Sequence, residues 1–142
     1  NGKHQSVSDH YEAVRIANAL GVAVDAFTII FPWEDEEDLR QTTALIEFIA
    51  GNDVKGTDEQ GRQMRNHVDS TIMTPYQGTK FYDLFRAGKF PAVKVKADLD
   101  PGNLYYKGNL GGSGWPYTRS RLPRDSYERE QAYRNSLRPE YR

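Results

Sequence analysis

The chain has 142 residues, a formal net charge of −1 and no cysteine. The charge balance gives no overall pull toward nucleic acid or an anionic membrane surface. The missing thiols exclude disulfides, thiolate metal sites and a cysteine nucleophile. No apolar run approaches the roughly 20 residues that span a bilayer. Asn1-Gly2-Lys3-His4 leads into polar residues, unlike a signal peptide, so a cytoplasmic setting is expected. At 37% hydrophobic residues and a mean hydropathy of −0.79, the chain is polar for a compact domain. Such a chain carries long exposed segments or lacks a partner that covers it. His4, His10 and His67 are scattered, without ligand spacing.

Residues 1–7 read as a polar loop, and Ser8-Asp9 as the N-cap of a first helix. Tyr11, Val14, Ala17 and Leu20 form its apolar stripe, and Gly21 is placed as its left-handed stop. Val22 to Phe31 is nearly continuously apolar, interrupted by Asp25 and Thr28. That pattern predicts a strand covered on both faces, as in a parallel sheet; Pro32 ends it. Glu34 to Asp38 is a run of five acids, tolerable at a helix start, where N–H groups point outward and the macrodipole is positive. Leu39, Thr42, Leu45, Ile46 and Ile49 continue that helix to Gly51-Asn52. Residues 51–66 lack periodicity and read as a long exposed loop. Val68 to Thr74 is a second strand, and a short helix from Phe81 ends at Gly88. Beyond Phe90-Pro91 regular alternation stops. Asp100-Pro101-Gly102-Asn103 reads as a turn and Gly111-Gly112-Ser113-Gly114 as a linker. Ser126 to Leu137 is a predicted helix.

Thr74-Pro75-Tyr76-Gln77-Gly78-Thr79 joins the second strand to the next helix. Pro75 fixes φ and removes a donor where the strand leaves the sheet. Gly78 permits a positive φ, and Thr79 can cap the helix. The turn either merely redirects the chain or offers backbone groups to a planar ligand edge. Asp25 reads as a satisfied carboxylate of the core or barrel interior, or as a ligand contact. The acid run reads as a solvated helix start, since adjacent helical carboxylates point around the circumference instead of toward one ion. Tyr76, Tyr82, Tyr105, Tyr106, Trp115 and Tyr117, with Lys107, Arg119 and Arg121, have the composition of a base-stacking surface. The net charge and the lack of a nucleic-acid module disfavour that role, and a tail packing through its aromatics is preferred.

Two strand–turn–helix units in tandem imply parallel strands with helical crossovers, whose ligands collect at the strand C-termini. The two turns and their flanks resemble the late strands of the radical-SAM barrel in its cobalamin-associated branch. That family carries Thr-Pro-Tyr-Pro-Gly-Thr where this chain has Thr74 to Thr79, with Gln77 replacing the second proline. It carries Phe-Ile-Ile-Gly-Leu-Pro-Gly-Glu where this chain has Phe27-Thr28-Ile29-Ile30-Phe31-Pro32-Trp33-Glu34; the proline and glutamate match, while Ile30 and Trp33 replace both glycines. Asn1-Gly2-Lys3 and Ala19-Leu20-Gly21-Val22 resemble further family segments, so the likeness spans roughly residues 1–90.

The resemblance implies an α/β fold: the C-terminal half of a partial (β/α)6 TIM-like barrel with parallel strands over residues 1–90, then an irregular extension with a C-terminal helix over 91–142. It implies a parent enzyme in which a [4Fe-4S] cluster on three cysteines cleaves S-adenosylmethionine, with cobalamin on a separate domain. Thr28, Ile30, Thr74, Pro75 and Tyr76 are then the candidate cofactor contacts. The expected partners are the N-terminal half of the barrel, a cobalamin-binding domain, a small-molecule substrate and further copies through exposed edges, with neither nucleic acid nor membrane. Without cysteine, this chain alone is expected to perform no radical chemistry. A self-contained, non-catalytic α/β binding or interaction domain is the alternative. Acid–base chemistry by Asp25, Tyr76 and His67 is disfavoured, because their spacing predicts no mutual contact.

Overall fold

The computed structural model describes residues 6–75, 78–96 and 115–139. The element order is α1 (Val7–Ala19), β1 (Asp25–Ile30), α2 (Glu36–Gly51), β2 (His67–Ile72), α3 (Lys80–Arg86), β3 (Lys94–Val95), β4 (Tyr117–Arg119) and α4 (Arg124–Ser136). The fold is mixed α/β, with a two-stranded sheet of β1 and β2 and a hairpin-like pair of β3 and β4. The His67 N–H bonds the Val24 carbonyl at 2.9 Å and the Met73 N–H bonds the Ile30 carbonyl at 2.8 Å. The sequence offset is the same at both points, so β1 and β2 run parallel, as the tandem strand–helix pattern requires.

Capping chemistry sets the helix starts. Ser6, not Ser8, caps α1: it accepts from the Asp9 N–H while the Asp9 carboxylate accepts from the Ser6 N–H. This reciprocal capping box satisfies two end groups, which a cap at Ser8 would leave open. The acid run builds a second box, with Asp35 and Asp38 exchanging backbone-to-carboxylate bonds at 3.0 and 2.8 Å. The Asp38 N–H bond is the main reason the Asp35 carboxyl lies below the ordinary range, and Arg121 adds to it. Gly21 follows α1 at φ +81°, where an added Cβ would meet the Lys55 carbonyl oxygen at 3.2 Å.

The chain divides into two compact units, each with its own apolar cluster. The first holds residues 6–28, 40–69 and 133–139. Val14, Ile46, Ile49 and Val68 form its core, with Val24 and Ala26 packed against it. The second holds residues 29–39, 70–75, 78–96 and 115–132, around Ile30, Leu39, Ile72, Phe85, Val93, Trp115, Tyr117 and Tyr127. Neither unit ends at residue 90: tail aromatics share one core with the ends of both long strands.

Two sequence expectations are corrected. The apolar run Val22 to Phe31 is not covered on both faces. Its strand alternates, and Phe27 is 62% and Ile29 41% exposed. Among the described residues this sheet has two strands, and the outward side chains of β1 are exposed while those of β2 are half-buried. The loop of residues 51–66 is not simply exposed either, since Val54 and Asn66 are fully buried. Asn66 exchanges amide bonds with Asn18 at 2.9 and 2.7 Å, accepts from the Val24 N–H at 2.8 Å and donates to the Ile49 carbonyl at 2.8 Å. One side chain thus ties the end of α1, the approach to β1 and the end of α2.

Candidate functional site

Two β-to-α turns leave neighbouring strand ends, after Ile30 and after Ile72. In the first, the Glu34 carboxylate accepts from the Phe31 N–H at 2.8 Å and the Glu34 N–H returns to the Phe31 carbonyl at 3.1 Å. Glu34 therefore closes the turn instead of extending into solvent with the acids after it. Pro32 is fully buried. Trp33 stacks on Phe31 at 4.6 Å between ring centres, with Phe81 and Phe90 each at 5.1 Å. An indole thus fills the space that a glycine would leave open at this position.

In the second turn Pro75 is buried and Thr74 half-buried. Gly78 takes φ +86°, and Thr79 caps α3 by accepting from the Tyr82 N–H at 3.2 Å. Both features follow the sequence reading of this turn.

Tail tyrosines reach both turns. The Tyr127 hydroxyl lies 2.9 Å from the Pro32 carbonyl and 2.8 Å from the Glu34 carbonyl, and accepts from the Leu122 N–H at 3.1 Å. The Arg121 N–H bonds the Pro32 carbonyl at 2.8 Å. The Tyr117 hydroxyl donates to the Met73 carbonyl at 2.5 Å. Burial is the main cause that raises both phenols above the ordinary tyrosine value, so they remain neutral hydrogen-bond donors. The sequence offered only aromatic richness as a sign of this strap; the partners lie more than forty residues upstream.

Ile30 is a core side chain with no exposure, in the cluster that also holds Phe85 and Tyr127. The resemblance made it a candidate contact; its side chain is buried, because even-numbered positions of β1 pack inward. The half-buried Thr28 directs its hydroxyl to the Asp69 carbonyl at 3.3 Å. Thr74 and Pro75 lie together on the second turn, and Tyr76 lies outside the described residues, as do the turn at 100–103 and the linker at 111–114.

Asp25 and His67 do meet, against the expectation from their spacing. The His67 Nδ1 lies 3.1 Å from Asp25 Oδ1, because parallel pairing sets the two strand starts side by side. The Asp25 side chain is 81% exposed, so it is neither a core nor an enclosed barrel-interior carboxylate. With Arg65 the pair lines a shallow cleft of about 420 Å³. It sits at the N-terminal ends of β1 and β2. No group of three or more histidines and acids placed to hold a metal ion occurs among the described residues, and no described helix is long and apolar enough to cross a membrane. Compared with family models, curated proteins and solved structures, the chain matches none.

Proposed function

We propose that this chain is the late-strand part of a radical-SAM enzyme of the cobalamin-associated branch. In this reading it is half of a partial (β/α)6 barrel, inactive by itself, that contributes one wall of the S-adenosylmethionine pocket. The observation that carries the reading is the parallel approach of the two strand ends, with Met73 and Ile30 joined at 2.8 Å. That bond sets the Phe31 to Glu34 turn beside Thr74 and Pro75, the end of a parallel sheet where ligands collect. The exposed Phe27 and Ile29 add support: a partial barrel separated from its remaining strands leaves such a face uncovered.

The residues fit the cofactors unevenly. Without cysteine the chain offers no ligand to a [4Fe-4S] cluster, so the N-terminal half of the barrel would supply all of them. Bound S-adenosylmethionine would supply the adenosyl radical. This chain's share is shape and backbone polarity at Thr74 and Pro75, with Trp33 narrowing the first turn. Cobalamin, on a separate domain, and a small-molecule substrate belong to the parent. Methylation of an unreactive carbon and ring closure, as in an anaerobic tetrapyrrole cyclase, are the reaction classes of this branch.

The test is the reading frame that contains Asn1. A Cys-x-x-x-Cys-x-x-Cys segment upstream, and iron, sulfide and 5′-deoxyadenosine formation by the whole product made without oxygen, are expected. A frame that opens without such a segment ends the proposal.

A second reading, a self-contained binding domain, is favoured by the tyrosine strap. Tyr117 and Tyr127 engage carbonyls of both turns from within the same chain. A monomer with one sharp two-state melt supports this reading, whereas self-association or a broad transition supports the half barrel.

A further inference from the structure

The β3–β4 pair is formed by two stretches of a single sign. Residues 84–96 and 115–124 hold seven lysines and arginines and no aspartate or glutamate. Lys94 stands directly across from Arg119 in the ladder, and both are exposed. Like charges opposite one another on an antiparallel pair are destabilising. The nearby carboxylates serve other cations: Asp35 lies 3.8 Å from Arg121 and Glu128 lies 2.9 Å from Arg124. Asp125 adds a third carboxylate in the first turn of α4.

Beside this pair is an open cleft of about 490 Å³ lined by Trp115, Thr118, Arg119, Ser120, Arg121 and Arg124 among others. Its wall is fixed by short-range bonds. Thr118 Oγ1 donates to the Lys94 carbonyl at 3.4 Å, and Ser120 Oγ to the Leu122 carbonyl at 2.7 Å. The backbone of Arg121 is held on Pro32 at 2.8 Å. The Arg124 guanidinium lies 5.8 Å over the Trp115 ring. Three arginines are thus carried on one short segment whose backbone is anchored, so little backbone freedom remains to be lost on binding.

We propose that this cleft binds a phosphoryl-bearing small molecule, its oxygens taken chiefly by the Arg119 fork, while Arg121 and Arg124, which keep Asp35 and Glu128, add positive field along the cleft wall. Guanidinium forks match phosphate oxygens in pairs, better than an ammonium does. A bound dianion would also relieve the repulsion between Lys94 and Arg119. Single-stranded nucleic acid is a poorer fit, because base binding needs an open aromatic face. Trp115 is 8% exposed; Arg124 lies over its ring and Tyr127 stacks on it, with ring centres 6.2 Å apart. The inference does not depend on the barrel reading, since it uses neither S-adenosylmethionine nor the missing strands.

Pyrophosphate is the probe, titrated calorimetrically into the full chain, with inorganic phosphate as the weaker comparison. Saturable binding is expected, with affinity reduced about tenfold in Arg119→Gln and less in Arg119→Lys, which keeps the charge but loses the fork. Lys55→Gln, an equal charge change on the other unit, is expected to bind as the parent does. Melting separates binding from folding: pyrophosphate should raise the melting temperature of the parent, while Arg119→Gln without ligand should melt no lower than the parent. No saturation up to about 10 mM, or equal affinity in Arg119→Gln, would overturn the proposal. So would tighter binding of a single-stranded oligonucleotide with affinity that grows with its length.

Discussion

The Tyr117 hydroxyl reaches the Met73 carbonyl at 2.5 Å across 44 positions of sequence, from a side chain only 3% exposed. That carbonyl lies just past the end of β2, where the backbone turns out of the sheet and loses its ladder partners. A buried carbonyl without a donor costs roughly 1–3 kcal/mol, and the tail supplies the donor. Tyr127 does the same for the turn after β1. The extension thus belongs to the same core as the strand ends, and it closes backbone groups that a ligand would otherwise meet.

Removing either hydroxyl tests this strap. Tyr117→Phe keeps the ring and its packing but leaves the Met73 carbonyl without its phenolic donor, and is expected to cost about 1–2 kcal/mol. Tyr127→Phe removes both an acceptor for the Leu122 N–H and the donor shared by Pro32 and Glu34. It is expected to cost more, about 2–3 kcal/mol, although Pro32 keeps the Arg121 N–H. Urea melts of the two variants should rank in that order; equal losses near zero would show that the bonds do not hold the tail.

The same phenols set an alkaline limit. Both are raised above the ordinary value of 10.0, chiefly by burial. In the unfolded chain each loses its proton near that value, while the folded chain keeps it to higher pH. The unfolded state therefore binds fewer protons above pH 10, and stability falls as pH rises from there toward the folded values. Below pH 10 both states are protonated and these groups add no slope. Melting temperature followed from pH 8 upward should begin a steeper fall near pH 10, and Tyr117→Phe should make it shallower.

Asn66 offers a sharper test of the first unit. Asn66→Ala would leave the Val24 N–H, the Ile49 carbonyl and the Asn18 amide short of partners in a site that is 0% exposed at Asn66. A loss of about 3 kcal/mol or more is expected, since several buried polar groups are affected at once. The Asn18→Ala and Asn66→Ala double variant should lose less than the sum of the singles, because the two amides satisfy one another. Additive losses would mean that the bonds act separately.

The long elements were legible because their signals are local. Apolar spacing located α1 and α2, the i,i+3 and i,i+4 spacing of Tyr127, Glu130 and Arg134 located α4, and the turn residues Gly21, Gly78 and Thr79 take the roles their chemistry suggests. The parallel pairing followed from the order of strands and helices. What escaped depends on distant partners. Asn66 looked like one more polar loop residue until its amide met Asn18. Asp25 and His67 are 42 positions apart and meet only because the strands share a register. The two-residue β3 is too short to show alternation, so the hairpin and its opposed cations left no periodic trace. At the candidate site, the sequence placed the turns but not the tyrosines that occupy their carbonyls.

The uncovered face of β1 gives a last expectation. Phe27 and Ile29 alternate with inward residues and are 62% and 41% exposed. Burying one such side chain fully is worth about 1.5–3 kcal/mol, so two on an open strand favour association wherever a complementary surface exists. The chain is expected to self-associate with rising concentration in analytical ultracentrifugation. Phe27→Lys with Ile29→Thr should shift it to monomer without lowering its melting temperature, because neither side chain belongs to an apolar core cluster. A parent that stays monomeric at high concentration would show that this face needs no cover, which removes one support of the half-barrel reading and leaves the parallel strand ends as the other.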